Sequence, residues 1–264
     1  MDLELSGKRA LVTGSTAGIG HAIARRLAAE GAEVVVNGRD AGRVEAACAR
    51  LRAELPQARV HGVAADVASA AGVAALIAAC GEADIVVNNF GIFEPCPFED
   101  IGDADWLRFF DANVMSGVRL ARHFLPRMKA RGWGRIVFIS SESGLNPPGD
   151  MVHYGMSKSA QLSVSRGIAE TCSGTGVTVN AVLPGPTRTE GVIEFFGKLA
   201  AEQGVAVETV EREFFNRDRP SSLLRRFIEP AEVANLVAYV CSPLSSATNG
   251  AALRVDGGVV RSIG

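Results

Sequence analysis

Tyr154 and Lys158 stand four residues apart in His153-Tyr154-Gly155-Met156-Ser157-Lys158. In a helix that spacing places phenol and ammonium on one face. A phenol ordinarily ionises near pH ~10, too high for proton exchange at neutral pH. A fixed positive charge beside it favours the phenolate and lowers that value. The pair is therefore expected to act as a general acid/base with a lowered tyrosine pKa. Two serines, Ser140 and Ser141, lie just upstream at the end of an apolar run. A hydroxyl there can hold a carbonyl oxygen while negative charge builds on it. Ser143 offers a further hydroxyl. Taken alone, Tyr-x-x-x-Lys describes an exposed lysine beside a half-buried tyrosine equally well, so the surroundings decide.

The first half of the chain supplies them. Lys8-Arg9-Ala10-Leu11-Val12-Thr13 reads as a buried strand leading into Gly14-Ser15-Thr16-Ala17-Gly18-Ile19-Gly20, after which residues 22–28 carry helical apolar spacing. Gly14 permits a tight turn, Gly18 lets backbone approach a phosphate, and Gly20 lets helix pack on strand. The free N–H groups of that helix start suit a pyrophosphate. A second strand at 32–37 ends in Gly38-Arg39-Asp40, and a helix over 41–54 stops before Pro56. A third strand at 59–64 ends at Asp66, and a helix over 69–79 leads to the strand ending Asn88-Asn89-Phe90-Gly91. Strands apolar on both faces, alternating with helices, predict a Rossmann-type α/β fold. Its doubly wound parallel sheet has about seven strands, with helices on both faces. A cofactor then belongs at the strand carboxyl ends, beside Gly14, Arg39, Asp66 and Asn88.

Composition bounds the rest. A chain of 264 residues with 47% hydrophobic content is expected to fold as one domain. Net charge −2 and pI near 6.1 argue against a nucleic-acid partner. No run of ~20 apolar residues and no leader pattern occurs, which predicts a cytoplasmic protein without membrane contact. Five scattered cysteines lack metal-ligand spacing with the four histidines, so neither a metal site nor a disulfide framework is expected.

The ordered set Thr13-Gly14-x-x-x-Gly18-Ile19-Gly20, Asn88-Asn89-Phe90-Gly91, Asn113, Ser141, Tyr154-x-x-x-Lys158 and Pro184-Gly185 resembles the short-chain dehydrogenase/reductase family over nearly the whole chain. The likeness is greatest to its 3-oxoacyl-carrier-protein reductase-like members. Phe90 departs from the alanine more usual there, which narrows the space beside the adenosine half of the cofactor. The resemblance implies a catalytic set of Asn113, Ser141, Tyr154 and Lys158. In it Tyr154 exchanges the proton, and Lys158 lowers the Tyr154 pKa and bonds the nicotinamide ribose. Asn113, placed inside a long helix over 103–129, holds a water that connects the lysine to solvent. Ser141 is preferred to Ser140 because it lies thirteen positions before Tyr154 and aligns Gly144.

By the same resemblance the cofactor groups are Gly14, Ser15, Thr16, Gly18, Ile19, Gly20, Asn37, Arg39, Asp66, Val67, Asn88 and Gly91. Tyr154, Lys158, Pro184, Gly185, Thr187 and Thr189 complete them, with Asp66 and Val67 at the adenine and the two threonines near the carboxamide. An acidic residue ending the second strand would repel a 2′-phosphate; this chain has Gly38, read as leaving open space, and then Arg39. NADP(H) is expected over NAD(H), which stays possible: Arg39 also fits a solvated surface residue, and Ala17 withholds a second basic group.

Family analogy makes residues 190–228 a substrate lid of two short amphipathic helices joined at Gln203-Gly204. The lid phenylalanines either line a pocket or bury the lid helices. Arg217, Arg219, Arg225 and Arg226 form a basic cluster, read as solvated or as an anion attractor. Relatives assemble as homotetramers or homodimers. The expected activity interconverts a small-molecule ketone and a secondary alcohol, and a non-catalytic dinucleotide sensor is the competing reading.

Overall fold

A computed structural model describes residues 2–263. Short runs rich in valine and isoleucine form the strands: β1 (Arg9–Val12), β2 (Glu33–Gly38), β3 (Val60–Ala64), β4 (Ile85–Asn88), β5 (Gly134–Ile139), β6 (Val177–Pro184) and β7 (Ala252–Val255). They make one parallel sheet in the order β3-β2-β1-β4-β5-β6-β7. Because β1 lies between β2 and β4, the chain winds outward from β1 in both directions. That reversal opens a crevice above the carboxyl ends of β1 and β4.

Alternation along the strands builds a core on each side of the sheet. Ala10 and Val12 of β1 face one cluster, which also holds Ile23 and Leu27 of α1 (Gly18–Ala29), Leu51 of α2 (Ala41–Glu54) and Val237 of α9 (Pro230–Cys241). Leu11 faces the other, with Leu76 of α3 (Ala70–Cys80) and Phe124 of α5 (Ser116–Arg131). Helix starts follow their caps: Asp40 accepts from the Arg43 amide, Ser69 from the Gly72 amide, and Glu229 and Glu232 form a capping box.

Two expectations are corrected here. Strands apolar on both faces describe the central strands but not β3, where only Val60 is buried, because an edge strand has one neighbour and a partly open face. The helix expected over 103–129 is not regular either. It divides into α4 (Asp103–Phe109), a π-helical turn (Phe110–Met115) and α5. The cause is Asn113, whose side chain bonds the Ile92 backbone twice, accepting from its amide at 2.7 Å and donating to its carbonyl at 3.0 Å.

After β6 the chain leaves the sheet and returns forty residues later. Arg188 donates to the Ile228 carbonyl and Ile228 to the Pro186 carbonyl, each at 2.8 Å. Between these points lie α7 (Glu190–Gln203), capped at its end by left-handed Gly204, and α8 (Val207–Arg217). Phe196, Phe215 and Phe227 are buried together with Phe214 packed on them, so this segment has its own small core. Phe195 points outward, 59% exposed. The lid phenylalanines therefore bury these helices rather than line a pocket. Among the described residues, no helix is long and apolar enough to cross a membrane.

Candidate functional site

Tyr154 and Lys158 lie on α6 (Val152–Glu170), on the same face, with the lysine Nζ 5.5 Å from the phenol ring centroid. Lys158 is buried and donates to the Ile139 carbonyl at 3.0 Å, just where β5 ends. The 3-10 turn that follows β5 carries the serines. Ser140 donates to the Lys158 carbonyl at 2.9 Å and is thereby committed to holding β5 against α6. Ser141 accepts from the Ser143 amide at 3.1 Å, and its hydroxyl hydrogen-bonds the Tyr154 phenol. Of the three serines weighed from sequence, Ser141 is the one joined to the phenol.

The electrostatics run opposite to expectation. Burial is the largest influence on Tyr154 and pushes its pKa up to about 12, against the downward pull of the Ser141 hydrogen bond. Burial also acts on Lys158 and brings its pKa down to about 8. Removing either group from water disfavours its charged form. The resting phenol is consequently neutral across the physiological range.

Asn113 is fully engaged by protein. Its Nδ2 also donates to Ser157 Oγ at 2.8 Å, and its carbonyl accepts from Gln161 Nε2 at 2.6 Å. These bonds brace the lysine region. Gly91 completes the enclosure, since a Cβ there would lie 3.2 Å from Asn113 Oδ1 and 3.4 Å from Lys158 Nζ.

Across the switch point, the glycine turn forms a second half-site. Gly14 and Gly18 have positive φ, and a Cβ on Gly20 would come within 2.4 Å of the Gly14 carbonyl and Asn89 Nδ2. Ser15 faces inward, fully buried, giving to the Val12 carbonyl at 2.7 Å and accepting from the Asn37 amide at 3.0 Å. Beside the turn lies a cavity of about 500 Å³ lined by Gly14, Thr16, Asn37, Arg39, Asp66, Val67 and Phe90. Asn88 is 4% exposed, and neither polar atom of its side chain has a partner; Asn37 Oδ1 is likewise buried and unpaired. Buried amide atoms without partners, one of them on Asn37 of the cavity lining, together with a glycine turn at a helix start fit a dinucleotide.

The space next to Gly38 is not open. A Cβ there would stand 2.6 Å from the Thr16 methyl. A second basic residue, Arg43 in the first turn of α2, lines the same cavity. Neither Arg39 nor Arg43 is in an ion pair among the described residues.

Pro184 and Gly185 end β6, and Gly185 packs so closely that a Cβ would sit 2.6 Å from the Asp256 carbonyl. Thr187 Oγ1 gives to the Gly185 carbonyl at 2.8 Å. Thr189 caps α7 by accepting from the Val192 amide, and its methyl side approaches Gly18. Glu190, a residue the sequence did not single out, accepts from the Gly18 amide at 2.9 Å. A carboxylate thus sits at the start of α1, where a phosphate oxygen would go. The basic cluster expected in this segment is dispersed. Arg217 pairs with Asp218, Arg219 with Glu142 and Arg226 with Glu232, while Arg225 donates to the Phe215 carbonyl.

Comparison with known proteins agrees with this geometry. Residues 8–199 match the family model described as short chain dehydrogenase. The chain is 48% identical to the uncharacterized oxidoreductase YvaG of Bacillus subtilis over the full length of both. It is 35% identical to D-beta-hydroxybutyrate dehydrogenase of Cupriavidus necator, covering 97% of this chain and 99% of that one. L-sorbose reductase of Gluconobacter frateurii, solved with NADPH and L-sorbose, superposes with a TM-score of 0.93 at 32% identity, covering 100% of both chains.

Proposed function

This chain belongs to the short-chain dehydrogenase family, and from that premise we propose that it interconverts a ketone and a secondary alcohol with NADP(H), using Tyr154 as the proton-exchanging group. Relatives that act on hydroxybutyrate and sorbose support an oxidoreductase of CH–OH and C=O groups. The observation that carries the reading is the junction of Ser141, Tyr154 and Lys158 at the end of β5, beside the glycine turn. Gly14, Thr16, Gly18, Ile19, Asn37, Asp66, Val67 and Asn88 would hold the dinucleotide, which when bound supplies or accepts the hydride. Ser141 would steady the carbonyl oxygen. The phenol of Tyr154, neutral at rest, is in the state that gives a proton to that oxygen, which suits reduction. Lys158, charged below pH 8, would stabilise the phenolate left behind.

The experiment is NADPH oxidation with a panel of acetoacetate, L-sorbose, a β-ketoacyl thioester and a quinone. Turnover of a ketone supports the reading. Tight dinucleotide binding without turnover of any of them would favour a sensor. Oligomeric assembly as a homotetramer or homodimer belongs to the same reading, and light scattering of a monomer would end it.

Two expected outcomes follow. For carbonyl reduction, kcat/KM is expected to fall as pH rises through about 8, the value to which burial brings Lys158. The sign follows because a lowered lysine pKa means the charge is lost at that lower pH. A profile flat to pH 10 would remove the lysine from the proton path. Glu190→Gln is expected to tighten NADPH binding about two- to fivefold, because a charge at an exposed helix start is worth roughly 0.3–1 kcal/mol. The carboxylate competes with the pyrophosphate for the Gly18 amide, and titration calorimetry reads the difference; weaker binding in the variant would show that Glu190 supports the cofactor instead.

A further inference from the structure

Glu142 follows Ser141 directly and is 3% exposed. Its Oε1 accepts from Arg219 Nε at 3.1 Å, and Ser143 also favours its ionised form. Arg219 comes from the far end of the segment that leaves β6, 77 residues away in sequence. The two side chains are 4% and 19% exposed, and among the described residues no other ion pair is enclosed as deeply on both sides. Arg219 is held in turn: Nη1 donates to the Asp218 carbonyl, and the guanidinium lies 5.7 Å from the Phe214 ring centroid. Phe214 packs on the segment's private core.

A buried ion pair contributes little net stability, yet removing one partner leaves a charge stranded out of water. Such a pair therefore specifies one arrangement more than it strengthens the fold. This arrangement joins the turn carrying Ser141 to the helices above it, and its two charges act on Tyr154 in opposite senses, Glu142 raising its pKa and Arg219 lowering it. The charged neighbours of Glu142 are Arg219, which favours its ionised form, and Asp256, which opposes it. Other contacts of the segment anchor it elsewhere: Arg188 pairs with Glu211 near its root, and Leu223 and Leu224 donate to the Gly257 carbonyl. Among the hydrogen bonds and ion pairs of the described residues, the Glu142–Arg219 pair is the one from this segment that reaches the serine turn.

We propose that Glu142 is a positioning residue whose ion pair with Arg219 fastens the helical segment 190–228 down over Ser141 and Tyr154, so that it governs how tightly substrate is enclosed and not the chemical step. The proposal rests on the reading of this site as a ketone/alcohol site covered by that segment.

Two measurements on the full-length protein test it. Hydrogen exchange of the free protein requires no turnover. Glu142→Gln and Arg219→Gln are each expected to speed exchange in residues 207–222 roughly tenfold, through more frequent local opening, while β4–β6 stay unchanged. Kinetics use the ketone of the activity panel turned over fastest. Each variant is expected to raise KM about tenfold with kcat little altered, and the double variant to be no worse than either single one. NADPH affinity should be unchanged. Unaltered exchange, additive losses, or a fall in kcat at constant KM would overturn the proposal. Should Glu142→Gln fail to fold, Arg219→Gln and Arg219→Lys carry the same comparison, with lysine restoring part of the loss. Absence of any ketone turnover by the unaltered protein would instead defeat the functional reading, and the exchange data would then decide the positioning role alone.

Discussion

Tyr154→Phe is expected to lower turnover by about 10²–10⁴-fold, the usual contribution of a positioned proton donor, and to leave NADPH binding unchanged. The ring contributes packing that the substitution keeps: it lies 6.5 Å from the Phe93 ring in an edge-on contact and on the same face as Lys158. Only the hydroxyl is lost, and with it both the hydrogen bond to Ser141 and the transferable proton. The helix should not move, because Ser157 bonds the Tyr154 carbonyl and not its side chain. Steady-state rates with fluorescence titration of NADPH separate the two effects. Substantial residual turnover would assign the proton to another group, and weakened cofactor binding would show that the hydroxyl holds the ribose. Because the phenol rests neutral, the loss should be deepest in carbonyl reduction at neutral pH.

The second large effect concerns the cofactor. Replacing Arg39 and Arg43 together with alanine is expected to weaken NADPH binding about 10- to 100-fold while barely changing NADH. Each charge-assisted hydrogen bond to a phosphate contributes roughly 1.5–3 kcal/mol when well formed, and exposure of both side chains reduces that. Both line the cavity beside Gly38 and neither is tied to a carboxylate. Single replacements should each fall part of the way, since two guanidiniums can share one phosphate. The discriminating quantity is the ratio of NADPH to NADH dissociation constants. Equal weakening of both would place the arginines at the pyrophosphate or make them structural. Gly38→Asp alone is expected to do less than its position in sequence implies, because the Thr16 methyl already fills the space its Cβ needs.

Sequence made the central architecture legible because that part rests on local rules. The apolar stretches of β1, β2 and β4 are buried, and glycines at 14, 18 and 20 mark a turn where side chains would collide. The preference for Ser141 over Ser140 came from the family resemblance, and in the fold Ser140 is bonded to the Lys158 carbonyl. What sequence hid depends on distant partners. The Tyr154 pKa was misjudged because proximity of a lysine is visible in four residues, whereas desolvation comes from everything packed around both groups. Arg43 escaped notice because it reaches the cavity from a helix, one turn past the strand end where a basic residue is sought. Arg219 was read as a member of a basic cluster and Glu142 was not singled out; only the folded chain closes the gap between them. The same holds for Glu190, whose partner amide lies 172 residues earlier.

The π-helical turn over Phe110–Met115 makes the register of this stretch indispensable. Deleting one residue there would let the chain relax to an ordinary α-helical course, turning the residues inside the turn by up to about 100° around the axis while α4 and α5 keep their mutual register. Asn113 would then swing off the Ile92 backbone and away from Ser157, and Gln161 would lose the carbonyl it grips. Length, and not only residue identity, is therefore constrained between α4 and α5, so a one-residue gap there should be harder to tolerate than a change of any exposed side chain in the same turn.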